Sequence, residues 1–312
     1  MLKTAYLFPG QGSQFVGMSR DLYDSEPAAR RVFDEADEVL GMSLSSICFE
    51  GPDEVLKETR NTQPAIFVHS LAVLATLGWR LEREDALLAG HSLGEYTAYV
   101  AAGSLTFADG LRLVRRRGEL MFAEGLERPG AMAAILGLTA EAVEAVLETI
   151  DGVVVPANYN SPTQLVISGE IPAVVSAMEK LKEAGAKRVL RLGVSGAFHS
   201  PLLKSAAEGL SEALKGVTIL PARSTVLANE TAAPVQEPEE IRASLARQIL
   251  SPVRWEPTVR RMLDEGATRF IEIGPGKVLS GLVRAVKKDV DHYAIGTAEQ
   301  TTAHRGLMEG CV

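Results

Sequence analysis

The chain has 312 residues, 46% of them apolar, enough to bury the core of one large domain or of a domain with an insertion. Its net charge of −8 excludes a nucleic-acid binder held by a general phosphate field, because such surfaces are basic; an anionic ligand would need a local cationic pocket. Cys48 and Cys311 form neither a disulfide framework nor a zinc pattern and read as free thiols, no run of roughly 18 apolar residues offers a membrane span, and Pro9 and Gly10 come too early for a signal peptide, so the expected compartment is the cytoplasm.

The first predicted element is a strand over 4–8, followed by Phe8-Pro9-Gly10-Gln11-Gly12-Ser13-Gln14. The G-x-G fails as a dinucleotide fingerprint, since Phe15 occupies the third glycine position. The loop can instead offer the Gln11 backbone N–H to an oxyanion. Residues 64–79 form an apolar run interrupted by His69, Ser70 and Thr76, which reads as a buried helix with His69 as a core residue.

A strand over 86–89 then leads into Gly90-His91-Ser92-Leu93-Gly94 and a small-residue helix over 95–102. Strand, G-x-S-x-G and helix together are the context of a nucleophile elbow, in which glycines allow a sharp turn and the serine hydroxyl projects from the top of the sheet. The helix start aims the Leu93 N–H at a developing oxyanion. A plain helix-capping serine in a tight βα loop is the competing reading, and the flanking elements favour catalysis.

Arg115, Arg116 and Arg117 look like a solvated charge run. At 100° per residue, however, Leu113, Val114, Leu120 and Met121 fall within about 60° of Arg117, which places that guanidinium on the apolar stripe. A buried guanidinium cannot shed its proton and needs an anion. Glu124 and a ligand carboxylate are the two possibilities, and an internal salt bridge is the commoner solution.

Between 130 and 194 the pattern is strand 131–137, helix 139–150, strands 153–159 and 164–169, helix 171–184 and strand 187–194, the βαββαβ order of a ferredoxin-like unit. The expected fold is α/β: a hydrolase-like core with a short parallel sheet over 1–125 and 198–312, and an inserted ferredoxin-like subdomain over 126–197. Further strands over 224–228 and 269–273 complete the core, with a surface loop at 232–240. Asn229-Glu230-Thr231 fits a glycosylation sequon but reads as a strand-end turn. Gly274-Pro275-Gly276-Lys277 is no phosphate loop, because Ile271 and Val278 occupy key positions.

A serine nucleophile needs a base. His91 adjoins Ser92 and should point away from its side chain, while His304 lies in a polar tail. His199, in a glycine-containing loop between the last subdomain strand and a helix entered at Pro201, sits where the cleft between the two units should lie; spacing alone favours it only slightly over His292.

GQGSQ at 10–14, GHSLGE at 90–95, Arg117-Gly118, NYNSP at 158–162, GAFHS at 196–200, QILSPVRW at 248–255 and EIGPGKVLSGL at 272–282 together resemble the malonyl-CoA:acyl carrier protein transacylase family almost end to end. The resemblance implies Ser92 as nucleophile, His199 as base oriented by the Gln248 carbonyl rather than by an acid, and the Gln11 and Leu93 N–H groups as oxyanion hole. It further implies Arg117 as holder of the malonyl carboxylate, Phe198 as the residue that excludes branched acyl groups, and Asn160 and His91 as pocket residues. The implied reaction is ping-pong transfer from malonyl-CoA to holo acyl carrier protein in fatty acid biosynthesis, with coenzyme A thioester as substrate, no other cofactor, no metal, and no nucleic-acid or membrane partner. Lys187, Arg188, Arg191 and Lys204 are the expected basic rim for an acidic carrier. The alternatives are a serine esterase or thioesterase, whose usual chain order would promote His292 with Asp264, and a non-catalytic carrier-binding module, which the presence of both Ser92 and His199 disfavours.

Overall fold

The computed structural model describes residues 3–194 and 196–308; Cys311 lies outside them, and Cys48 is a buried free thiol. The fold is mixed α/β with two separate sheets. The first contains β1 (Lys3–Phe8), β2 (Leu87–Gly90), β7 (Thr225–Val226), β8 (Ala267–Ile273) and β9 (Asp291–Ile295), all parallel in the order β7-β2-β1-β8-β9. The second contains β3 (Gly130–Leu136), β4 (Val154–Ser161), β5 (Gln164–Glu170) and β6 (Arg188–Arg191), antiparallel in the order β4-β5-β3-β6. Counted within their own segment, these strands lie in the order 2-3-1-4, the arrangement the βαββαβ pattern requires.

Period-two alternation decides which layer each strand residue joins. In β1, Tyr6 and Phe8 enter the main core beside the helix Thr59–Leu77, while Ala5 and Leu7 pack on the other face with Trp255, Val259 and Leu282. Burial on both faces is why this strand reads as a continuous apolar run. In β3 the same alternation sends Ala131, Ala133 and Ile135 towards the helices Ala140–Leu147 and Ile171–Glu183, and turns Met132 and Ala134 towards the main core.

The second sheet is tied to the rest of the molecule at β4, where the Tyr159 N–H donates to the carbonyl of Val253, just before the helix Trp255–Asp264, at 2.9 Å and the Val253 N–H to the Ala157 carbonyl at 2.8 Å. The cleft between the two sheets opens at the carboxyl ends of β1 and β2, the usual ligand position in an open parallel sheet. Among the described residues no helix is long and apolar enough to cross a membrane.

Candidate active site

The turn after β2 is set by two glycines that touch each other. A Cβ on Gly90 would lie 1.8 Å from the Gly94 carbonyl carbon, and one on Gly94 would lie 2.2 Å from the Phe8 carbonyl oxygen. With the chain this close, Ser92 is forced to φ 54°, a left-handed conformation that costs a non-glycine residue on the order of 1–2 kcal/mol. Asn229, three residues beyond β7, offsets that strain: its Oδ1 accepts the Ser92 N–H at 2.7 Å and its Nδ2 donates to the Gly90 carbonyl at 2.7 Å. Asn229 sits in the expected strand-end turn, where it is buried and braces the elbow.

His199 stands opposite, also left-handed at φ 57°, with Nε2 2.7 Å from Ser92 Oγ. Its Nδ1 faces two carbonyl oxygens, Ser251 at 2.9 Å and Gln248 at 3.1 Å. Two acceptors hold the proton on Nδ1 and leave the Nε2 lone pair for the serine. Burial, reinforced by the Arg117 cation, pushes the imidazole down to about 3, so it is neutral at neutral pH.

Arg117 is 1% exposed, on the helix Phe107–Glu127 as the helical arithmetic places it. The internal salt bridge expected for it is absent: no carboxylate lies within ion-pair distance among the described residues. Glu124 instead accepts from the Ala206 N–H at 3.1 Å and lies 3.8 Å from Arg128. The guanidinium donates to three neutral oxygens, from Nη1 to Gln63 Oε1 at 2.6 Å and from Nη2 to Ser92 Oγ at 3.0 Å and Gln248 Oε1 at 3.1 Å. Its Nε is buried without a partner among the described residues.

A chamber of about 110 Å³ lined by Gln11, Ser92, Arg117, Met132, Phe198 and His199 encloses the hydroxyl. It opens into a larger cleft of about 480 Å³, between Gly10, His91 and Leu282 on one side and Asn160, Val166 and Leu192 on the other. The Gln11 and Leu93 N–H groups donate to nothing among the described residues, which leaves both available to an anion. His91 and Asn160 cross-tie the walls of the cleft: His91 Nε2 lies 2.9 Å from Asn160 Oδ1, with its ring tilted against Trp255 at 5.5 Å.

The other histidines are elsewhere. His69 is buried and bonded to Ser19 Oγ, and His304 Nδ1 accompanies the Gln300 carbonyl. His292 lines a separate cleft with Lys277 and Arg284 and contacts the Val290 carbonyl, so the Ser92–Asp264–His292 constellation does not form. Lys187, Arg188, Arg191 and Lys204 are all exposed, yet none lines the cleft; the cation on its wall is Lys57.

Four polar residues of the site escaped the sequence reading: Asn229, Ser251, Gln63 and Glu95. Glu95 is fully buried, accepting from the Gln248 side chain and the Asn229 backbone. An acid immediately after the elbow and inside an apolar helix is the one signal that marks any of them in the sequence.

Residues 5–304 match the family model described as acyl transferase domain. The chain is 49% identical over 302 residues to a malonyl CoA-acyl carrier protein transacylase of Bacillus subtilis (strain 168), covering 96% of this chain and 95% of the relative. An acyl-carrier-protein S-malonyltransferase from Bartonella henselae superposes with a TM-score of 0.95 at 40% identity, covering 99% of this chain and all (100%) of the other. A malonyl-transacylase solved in complex with a holo type II PKS acyl-carrier protein superposes with a TM-score of 0.92 at 39% identity, over 96% and 98% of the two chains.

Proposed function

The chain belongs to the acyl transferase domain family, and we propose that it carries a malonyl group from malonyl-CoA to the phosphopantetheine thiol of a holo acyl carrier protein, in fatty acid biosynthesis and in the cytoplasm. The observation that carries the substrate assignment is Arg117, a buried cation with an unpartnered Nε and no carboxylate, 3.0 Å from the nucleophile. A carboxylate entering the chamber supplies the missing anion, and charge-assisted hydrogen bonds to a desolvated guanidinium are the strong kind. An uncharged acyl group would leave the cation unneutralised. A simple esterase has no use for it.

In the first half-reaction Ser92 Oγ attacks the thioester carbon as its proton passes to His199 Nε2. The carbonyl oxygen becomes an oxyanion facing the Gln11 and Leu93 N–H groups. Collapse breaks the C–S bond, His199 returns the proton to the departing coenzyme A sulfur, and malonyl-serine remains. The second half-reaction runs the same steps with the carrier thiol as nucleophile and Ser92 as leaving group. Both halves balance with one serine, one imidazole and two thiols, so coenzyme A thioester is assigned as substrate and no cofactor is assigned. Phe198 narrows the chamber against branched acyl groups, and Asn160 with His91 holds the cleft in register. Lys187, Arg188, Arg191 and Lys204 supply positive charge outside the cleft for an acidic carrier.

Intact-protein mass spectrometry after brief exposure to malonyl-CoA tests this reading. The wild type acquires one malonyl group, Ser92→Ala acquires none, and holo carrier protein removes it. An adduct that only water discharges would make the protein a hydrolase.

A further inference from the structure

Arg117 can select a carboxylate only if its guanidinium is aimed, and the residues that aim it are uncharged. Nη2 donates to the Gln248 side-chain oxygen at 3.1 Å. A glutamine amide is nearly symmetric in shape, so it holds an arginine only when something else dictates which end is oxygen. Here two acceptors meet the opposite end: Gln248 Nε2 donates to Glu95 Oε2 at 2.8 Å and to the Ser92 carbonyl at 2.9 Å. A flipped amide would set its oxygen against both acceptors and its NH2 against the guanidinium.

We propose that Glu95 is a positioning residue for acyl selection: its carboxylate fixes the orientation of the Gln248 amide and, through it, the aim of Arg117 at the substrate carboxylate. This assignment rests on malonyl transfer being the reaction. The same Glu95 oxygen also accepts the Asn229 backbone N–H at 3.0 Å, while the Ser92 N–H is held by the Asn229 side chain, a separate bond that does not involve Glu95. Glu95 is fully buried without a salt bridge among the described residues, and its Oε1 has no hydrogen-bond partner. A group kept only to stabilise the fold would be better replaced by an apolar side chain of the same size. Burial raises its pKa to about 7, and either protonation state retains an acceptor for Gln248.

Two variants and a background substitution separate aiming from general support. Glu95→Gln still presents one oxygen to Gln248 Nε2 and the Asn229 N–H, with its NH2 at the unpartnered Oε1 position, whereas Glu95→Leu presents none. Each is assayed for malonyl loading from malonyl-CoA and for Ser92 labelling by an uncharged sulfonyl fluoride, which needs the serine and histidine but not Arg117. Glu95→Leu is expected to lose roughly 10–100-fold in malonyl loading, the effect of one lost buried acceptor, with labelling within about threefold of wild type. Glu95→Gln should recover malonyl loading to within about fivefold of wild type. In a Gln248→Met background, Glu95→Leu should add no more than about threefold, the share left to its Asn229 contact, because the amide it acts through is gone.

Equal loss in loading and labelling, full additivity with Gln248→Met, or unchanged loading in Glu95→Leu would each overturn the assignment while leaving malonyl transfer intact. A wild type that the sulfonyl fluoride labels but malonyl-CoA does not load would instead overturn the proposed reaction, and the role of Glu95 with it.

Discussion

One wall of the cleft, contributed by the parallel sheet and its helices, holds Ser92, Arg117, Asn229 and Gln248 in a continuous set of hydrogen bonds between 2.7 and 3.1 Å. On the facing wall, beside the polar Asn158, Asn160 and Gln164, β3, β5 and the chain leaving β6 present an apolar stretch of Met132, Ala134, Val166, Leu192 and Val194, which make contact only through shape. The polar wall has discrete correct and incorrect arrangements, since a donor facing a donor is a failure, while the apolar wall deforms gradually. Under the proposed malonyl transfer, chemistry and charge selection fall to the first, and the fit of the acyl and pantetheine chains to the second.

The largest effect that tests this contrast is Arg117→Ala. Malonyl loading should fall by about 10²–10³-fold, as expected for a lost pair of charge-assisted bonds, while loading of acetyl from acetyl-CoA holds or improves. Equal loss for both acyl groups, measured by mass spectrometry under single-turnover conditions, would make Arg117 a structural residue.

An intermediate effect is expected on stability against pH. Burial pushes His199 down to about 3 and His69 to about 4 from an ordinary 6.5, and lowers His91 as well. Below pH 6.5 the unfolded chain binds protons at these imidazoles that the folded chain refuses, so stability falls as pH drops from 6.5 towards 3. Glu95, raised from 4.5 to about 7, and Glu272, also raised by burial, work the other way: above 4.5 the folded chain holds protons the unfolded chain has lost. With three imidazoles against two carboxyls, the urea midpoint should be lower at pH 5 than at pH 7.5. An unchanged or higher midpoint at pH 5 would count against neutral buried histidines.

The smallest effect belongs to the apolar wall. Val166→Ala removes two methyl groups from the cleft and should raise KM for malonyl-CoA by about three- to tenfold with kcat unchanged. A fall in kcat with KM unchanged would show that this wall also aims the reacting groups.

Local signals made much of the molecule legible. Alternation in β1 and β3, the glycine spacing around Ser92 and the βαββαβ rhythm of 130–194 depend on near neighbours in the chain, and the structure places each element within a few residues of its predicted position. The place of Arg117 on an apolar stripe was also visible, because helical spacing is a local property. The nature of its partner was not. An internal carboxylate is the commoner answer for a buried arginine, and only the tertiary structure puts Gln63, 54 residues away, and Gln248, 131 residues away, at the guanidinium while taking Glu124 to Ala206.

The sequence by itself determined the elements, the elbow and the resemblance that pointed to a nucleophile and its base. Only the tertiary structure decided how they are held: His199 between two carbonyls, Ser92 braced by Asn229, and Gln248 turned by Glu95. The physical reason is that helix and strand periodicity is written in neighbouring residues. A buried hydrogen-bond network is satisfied by whichever distant donors and acceptors the fold brings within about 3 Å, and no spacing in the chain encodes that meeting.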